Sequence, residues 1–237
     1  MSRRAVILAG GKGTRLRPYT VVLPKPLMPI GEFPILEVIV RQLAQNGFDH
    51  VTMAVNHQAE LIRAFFQDGK KWNLMIDYSL EDEPLGTMGP LKLIRDLPEN
   101  FLVMNGDVLT ELNFKVFHDS HVTAGSLFTI SSKRRVETID YGVLEIDERR
   151  RLVNFKEKPK TEFIVSMGVY MVKRDALAMV PSGKPYGFDS LMLDMLANGR
   201  AVVVQEFDGY WLDIGRPDDY MQAIDEFDSM RSRILNG

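Results

Sequence analysis

The first half of the chain alternates unbroken apolar runs with segments whose apolar residues return at helical spacing. Ala5 to Ala9 is apolar throughout, the pattern of a strand buried on both faces. Within Pro34 to Gln45, Leu36, Ile39, Val40 and Leu43 repeat as one helix face, and Asn46-Gly47 closes it. His50 to Val55 predicts a second buried strand, Gln58 to Gln67 a second helix stopped near Gly69, and Leu74 to Tyr78 a third strand. Thr87 to Leu97 predicts a helix with Pro90 in its first turn, where proline is tolerated. Phe101 to Met104 is a fourth strand, ending in Asn105-Gly106-Asp107. Strands alternating with helices predict an α/β fold: a Rossmann-like, mostly parallel sheet flanked by helices.

The second half changes period. Ser126 to Ser131, Tyr141 to Ile146, Leu152 to Lys156 and Phe163 to Met171 read as closely spaced strands, with a hairpin turn at Asp147-Glu148-Arg149-Arg150. They predict added antiparallel strands. Asp189 to Ala197 is a helix ended by Asn198-Gly199, and Ala201 to Gln205 and Tyr210 to Leu212 are strands. Pro217-Asp218-Asp219 opens a last helix, with proline near its first position and acids in its first turn. No repeat or linker interrupts this order. A single domain over residues 1–237 is expected, with halves at about 1–125 and 126–237.

Composition narrows the classes. A net charge of −3 provides no global field for nucleic acid or a membrane surface. Local basic clusters, Lys133-Arg134-Arg135 and Arg149-Arg150-Arg151, read as solvated loops or turns. The absence of cysteine excludes disulfides and thiolate chemistry. Ser2-Arg3-Arg4 precedes an apolar stretch too short for a signal segment, and no long apolar run follows, so a cytoplasmic enzyme is expected. Four histidines, His50, His57, His118 and His121, make no ligand set. His118 and His121 are helix-spaced, and without a third ligand they predict a solvated helix face.

The chemistry concentrates after the first strand, in Gly10-Gly11-Lys12-Gly13-Thr14-Arg15-Leu16 and Leu23-Pro24-Lys25-Pro26-Leu27. Glycines there let backbone N–H groups approach phosphate oxygens. Thr14 adds a hydroxyl, Arg15 a bidentate fork and Lys25 a point charge. The dinucleotide fingerprint is excluded because its third glycine is missing, and the P-loop because Lys12 is misplaced. An oxidoreductase would also need an acid closing the second strand, which ends in Val55-Asn56. Asp107 and Asp213 each end a strand, and two such carboxylates suit Mg²⁺, which completes its octahedron with waters and phosphates. Taken singly, each reads equally as a cap or turn residue.

G-G-x-G-T-R-L followed by P-K-P-L resembles the signature of the sugar-1-phosphate nucleotidyltransferases, or NDP-sugar pyrophosphorylases. The resemblance runs from about Ala5 to Ile224 and is closest to the short mannose-1-phosphate guanylyltransferase type, without the β-helix of longer relatives and its functions. It implies a reaction of an NTP with a sugar 1-phosphate, giving an NDP-sugar and pyrophosphate. Nucleotide contacts fall to Leu8, Ala9, Gly10, Gly11, Gly13, Thr14, Arg15, Lys25, Gly86, Thr87 and Asp107, with Arg15, Lys25 and Asp107 as the catalytic set. Asp107 and Asp213, in N-x-D and W-x-D-I-G contexts, would hold Mg²⁺. The Y-G-V and E-K-P motifs imply a sugar-phosphate site at Gly142, Glu157 and Lys158, with Ser166. Pro159 predicts an extended backbone at Lys158. Ser166-Met167-Gly168 departs from the family's Asn-Ala-Gly, and the bulk of Met167 puts the sugar in question. Leu85-Gly86-Thr87 resembles the guanylyl loop, implying GTP with a mannose- or heptose-type sugar 1-phosphate. Thymidylyl, uridylyl or cytidylyl transfer to another hexose 1-phosphate is the alternative. A nucleotide-sensing module would lack Lys25 or the second aspartate, and both are present. Neither nucleic acid nor a membrane is implied as a partner, and a homo-oligomer stays open.

Overall fold

The computed structural model describes residues 2–56 and 58–235, so His57 lies outside the described residues. Strand β1 (Arg4–Leu8) leads through a two-residue ladder, β2 (Pro29–Ile30) and β3 (Phe33–Pro34), into helix α1 (Ile35–Gln45). Then follow β4 (His50–Val55), α2 (Ala59–Phe66), β5 (Met75–Leu80), β6 (Asn100–Asn105), β7 (Val108–Thr110) and α3 (Phe114–Ala124). The second half contributes β8 (Phe128–Thr138), β9 (Gly142–Ile146), β10 (Leu152–Glu157), β11 (Lys160–Lys173), α4 (Phe188–Ala197), β12 (Val202–Glu206), β13 (Trp211–Asp213) and α5 (Pro217–Leu235).

Seven strands form one sheet in the order β12-β8-β11-β6-β1-β4-β5. Its neighbours are parallel except where β11 runs against both β6 and β8. The expected mostly parallel sheet is therefore observed, with a single reversed strand, β11, third in the order, and a separate β9–β10 ribbon. The period of two explains why the apolar runs are unbroken. Ala5 and Ile7 of β1 and Leu102 and Met104 of β6 face one helix layer, with Ile39, Leu43 and Phe117. Val6, Phe101 and Val103 face the other, with Leu91, Leu191 and Met195. A third cluster lies beyond the strand ends, where Tyr220, Phe227 and Met230 of α5 pack on Leu16, Ile30, Ile35 and Ile214.

Four expectations need correction. Thr87–Leu97 is not a helix: a short 3₁₀ turn spans Gly89–Leu93, and Ile94 is already extended. Pro90 has no N–H to give, and the Met88 and Gly89 amides donate to the Tyr186 carbonyl at 3.0 and 3.1 Å. Lys133, Arg134 and Arg135 are not in a loop but in β8, which continues to Thr138 because β11 pairs with it from Lys160 to Ser166 and, past a bulge, from Tyr170 to Val172. Lys158 is not extended: its φ is 44°, because only Lys158 and Pro159 connect β10 to β11 and a turn that tight needs a left-handed residue. His121 is buried, not solvated, and its Nδ1 lies 2.7 Å from the Thr129 hydroxyl. The turn at Asp147–Arg150 is as expected, with the Asp147 carboxylate accepting the Arg149 and Arg151 amides. Among the described residues no helix is long and apolar enough to cross a membrane.

Candidate active site

The glycine loop leaves the carboxyl end of β1, the edge of a parallel sheet where ligands gather. Gly13 has φ 59°, and a Cβ there would stand 3.0 Å from the Thr20 methyl and 3.2 Å from Lys25 Cβ. Glycine at this position lets the segment carrying Lys25 fold under the loop. The Thr20 hydroxyl fixes that contact by donating to the Gly13 carbonyl at 2.8 Å. Pro24 is extended and Lys25–Leu27 form a 3₁₀ turn, so Lys25 points inward, 8% exposed.

Lys25 finds Asp107, whose Oδ2 accepts from the ammonium. Asp107 arrives through β6, which lies beside β1, and through Gly106, whose N–H donates to the Leu8 carbonyl at 3.0 Å. A side chain at Gly106 would meet that carbonyl. Asp213 arrives from the far end of the sequence: β13 pairs with β7, setting Asp213 opposite Val108, and the Ile214 N–H donates to the Asp107 carbonyl at 3.1 Å. The two carboxylates feel each other. The Asp213 pKa is raised, first by desolvation and then by the Asp107 charge, with Lys25 and Arg15 opposing.

These residues fit a divalent cation. Asp107 Oδ1 is buried with no hydrogen-bond partner among the described residues, an orphaned acceptor beside a second carboxylate whose pKa is raised. Among the described residues no cluster of three or more His, Cys, Asp or Glu side chains could hold a metal. Two carboxylates with open positions suit Mg²⁺ shared with phosphates rather than a closed structural site.

A cavity of about 220 Å³ is lined by all the expected nucleotide-contacting residues except Gly10, Gly86 and Thr87. Gly10 lies at its edge, where a Cβ would stand 3.1 Å from Glu81 Oε1. Glu81 went unnoticed in the sequence because it opens an acidic run, Glu81-Asp82-Glu83, that reads as solvated. It is 8% exposed, whereas Asp82 and Glu83 are exposed. Its Oε2 accepts the Leu85 N–H at 2.9 Å, and burial raises its pKa. Gly86 has φ 77° and packs on the Tyr186 backbone, where a Cβ would stand 2.8 Å from the carbonyl oxygen. Thr87 caps a helix, but α4 rather than its own segment: its hydroxyl accepts the Phe188 N–H at 2.7 Å.

A family model described as nucleotidyl transferase matches residues 4–229. The chain belongs to the nucleotidyl transferase family. It is 34% identical over 93% of its length to the UTP–glucose-1-phosphate uridylyltransferase of Synechocystis, covering 62% of that protein. It is 33% identical over 93% of its length to the mannose-1-phosphate guanyltransferase of Saccharomyces cerevisiae, covering 63% of that protein. The chain thus spans about three-fifths of these curated relatives. Among solved structures, HddC from Yersinia pseudotuberculosis aligns with a TM-score of 0.74 and 29% identity, over 95% of this chain and 99% of that one. A second HddC structure is a complex with GMP-PN, at TM-score 0.72.

The sugar-side residues expected of a nucleotidyl transferase gather less tightly. Gly142 and Glu157 pair across the β9–β10 ribbon, and a Cβ on Gly142 would stand 3.2 Å from Glu157 Oε2. Gly142, Glu157 and Lys158 are exposed, and neither the loop cavity nor the larger one beside it is lined by them. The Ser166 hydroxyl stays within its bulge, 3.2 Å from the Tyr170 hydroxyl and accepting the Gly168 N–H at 3.3 Å. Met167 does not crowd a pocket: it is buried, and its carbonyl accepts the Trp211 indole N–H at 2.9 Å.

Proposed function

We propose that this nucleotidyl transferase joins an NTP to a sugar 1-phosphate, releasing pyrophosphate, with GTP as preferred donor and a mannose- or heptose-type sugar phosphate as acceptor. The observation that carries it is the juxtaposition of Lys25, Asp107 and Asp213 under a glycine loop. A sugar phosphate oxygen attacks the α-phosphorus in line. The bond from that phosphorus to the β-phosphate oxygen breaks, and pyrophosphate leaves with the charge. The nucleophile is already an anion, so no side chain needs to take a proton. Catalysis rests on positioning and charge neutralisation. The loop amides and Arg15 receive the β- and γ-phosphates. Lys25 turns from Asp107 toward the α-phosphate. Asp107 and Asp213 would hold Mg²⁺, which when bound neutralises phosphate oxygens. Residues of about 1–125 serve the nucleotide, and those of about 126–237 serve the sugar.

Glu81 supports guanine. A carboxylate presents two acceptors, and guanine presents N1–H and N2–H₂ side by side on one edge. Uracil and thymine offer one donor between two acceptors, a poorer match to a buried carboxylate. Gly10 carries no side chain beside this carboxylate, where a Cβ would stand 3.1 Å from Glu81 Oε1.

The test is a panel of NTPs against sugar 1-phosphates, read by pyrophosphate release with and without excess chelator. GTP with mannose or heptose 1-phosphate is expected to turn over fastest, and chelator to abolish turnover. Asp107→Asn is expected to keep the fold and lower turnover by about two decades or more. Absence of pyrophosphate from every pair would dismiss the reading, and faster turnover with UTP, dTTP or CTP would reassign the base.

A further inference from the structure

Next to the loop cavity lies a larger one of about 510 Å³, and the two share Arg15 and Gly215. It is lined by five cationic side chains and three carboxylates, in a chain whose net charge is −3. Two of the cations are committed. The Lys133 ammonium donates to the Asp208 and Gly209 carbonyls at 2.5 and 2.7 Å. Arg134 is held by Glu162 at 3.3 Å and Glu206 at 3.1 Å. Asp219 is committed as well, accepting the Gly215 and Arg216 amides at 3.0 and 2.7 Å. Among the described residues, Arg15, Arg135 and Arg216 have no carboxylate within ion-pair distance.

These guanidinium groups stand on well-anchored backbone. Alternation along β8 puts Lys133, Arg135 and Glu137 on one face, opposite the Arg134 ion pairs. Arg135 lies over the Trp211 ring, 6.0 Å from its centroid, and Trp211 is fixed through its indole N–H to Met167. Arg216 sits where β13 passes into α5, three residues beyond Asp213. The proposed reaction brings a second phosphate up to a triphosphate, and two such anions repel unless further cations separate their charges. Arginine forks suit phosphate oxygens.

We infer that this larger cavity is a second phosphoryl-anion subsite, in which Arg135 and Arg216 hold the phosphate of the entering substrate or the departing pyrophosphate beside Arg15. The inference rests on the proposed reaction for its role, but anion binding tests it without turnover. The chain has two tryptophans, and Trp72 is buried beneath α2, so Trp211 fluorescence reports on the cavity. Inorganic pyrophosphate titrated onto the metal-free chain is expected to perturb that fluorescence. Arg135→Ala and Arg216→Ala should each raise its Kd about tenfold, the loss of one charge-assisted hydrogen bond. Arg135→Lys should recover part of the affinity. Among the described residues neither guanidinium makes a hydrogen bond or ion pair, so thermal midpoints should stay level, and Lys156→Ala and Lys160→Ala should bind as the unaltered chain does.

Initial rates then separate the two sources. A raised KM for the sugar 1-phosphate with KM for NTP and pyrophosphate unchanged assigns the subsite to the entering phosphate; a raised KM confined to pyrophosphate in the reverse reaction assigns it to the leaving group. Equal pyrophosphate Kd in the unaltered chain and both variants overturns the inference, as do arginine variants that change KM for neither the sugar phosphate nor pyrophosphate. Normal anion binding without turnover on any substrate pair would dismiss the reaction and leave the subsite standing.

Discussion

At the scale of single residues, Glu81 shows what a local pattern conceals. Three consecutive positions, Glu81, Asp82 and Glu83, look alike in sequence, yet β5 carries the first under the loop and leaves the others in solvent. Asp107 and Lys25 were legible because their neighbours are distinctive: a glycine before the aspartate, prolines around the lysine. Glu81 has no such frame. Its raised pKa gives two tests. The ionised form accepts two N–H groups, so the KM for GTP should rise as pH falls toward the raised pKa. Glu81→Gln should remove that dependence and cost about tenfold or more in kcat/KM with GTP. On stability the sign is opposite. A carboxyl whose folded pKa lies above its unfolded value binds more protons when folded, so ionisation destabilises the fold as pH rises through that range. Glu81→Gln should be more stable than the unaltered chain at neutral pH, with the gap closing below the ordinary glutamate value of 4.5. Denaturant unfolding at pH 4 and pH 7.5 measures it; a gap that widens toward acid would remove Glu81 from the buried face.

At the scale of elements, legibility followed burial on two faces. β1, β4 and β6 announce themselves because both faces are core, and the polar residue inside a run, Thr52 of β4, is itself buried and accepts from Arg4 at 2.8 Å. α3 did not, because its buried positions are Phe114, Phe117 and His121, and the histidine breaks the apolar stripe. Once inside, His121 pins α3 to β8 through Thr129. Burial, and then the charges of His118 and Lys173, lower its pKa from 6.5 to about 4. The unfolded chain takes up a proton that the folded chain refuses, so stability is complete above 6.5 and declines as pH falls toward 4. At pH 5 the loss from this residue is about 2 kcal/mol. His121→Phe lacks the titrating group, so its stability deficit against the unaltered chain should shrink by that amount between pH 7.5 and pH 5 in urea unfolding. A constant deficit would mean that His121 is protonated in the fold. β8 was misjudged for a related reason: it runs well past the core to Thr138, and Val136 is the one apolar residue among Lys133 to Thr138 to extend the prediction.

At the scale of the whole molecule, the candidate site is closed by a contact that local pattern cannot show. The β7–β13 ladder joins Val108–Thr110 to Trp211–Asp213, about a hundred residues apart, and sets the two aspartates together. Only the resemblance, not periodicity, paired them in the sequence. What keeps β13 in place is the third core, where α5 packs over Ile214 and Leu212 and reaches back to Leu16 behind the glycine loop. Phe227 is central to it, 1% exposed, and Gly31 leaves it room, since a Cβ there would stand 2.7 Å from the ring. Phe227→Ala should therefore act at two levels. Removing a buried aromatic side chain should cost about 3–5 kcal/mol of stability. Because the same cluster backs both the loop and β13, the amides of Ile214 and Leu16, bonded to Asp107 and Gly13, should exchange faster than those of β4 in native-state hydrogen exchange. If the cluster positions the site, KM for the NTP rises in this variant while the β1–β4 ladder stays protected. Uniform loss of protection, with KM unchanged in the folded fraction, would show instead that α5 supports the fold as a whole and leaves the alignment of Asp213 with Asp107 to the β7–β13 ladder alone.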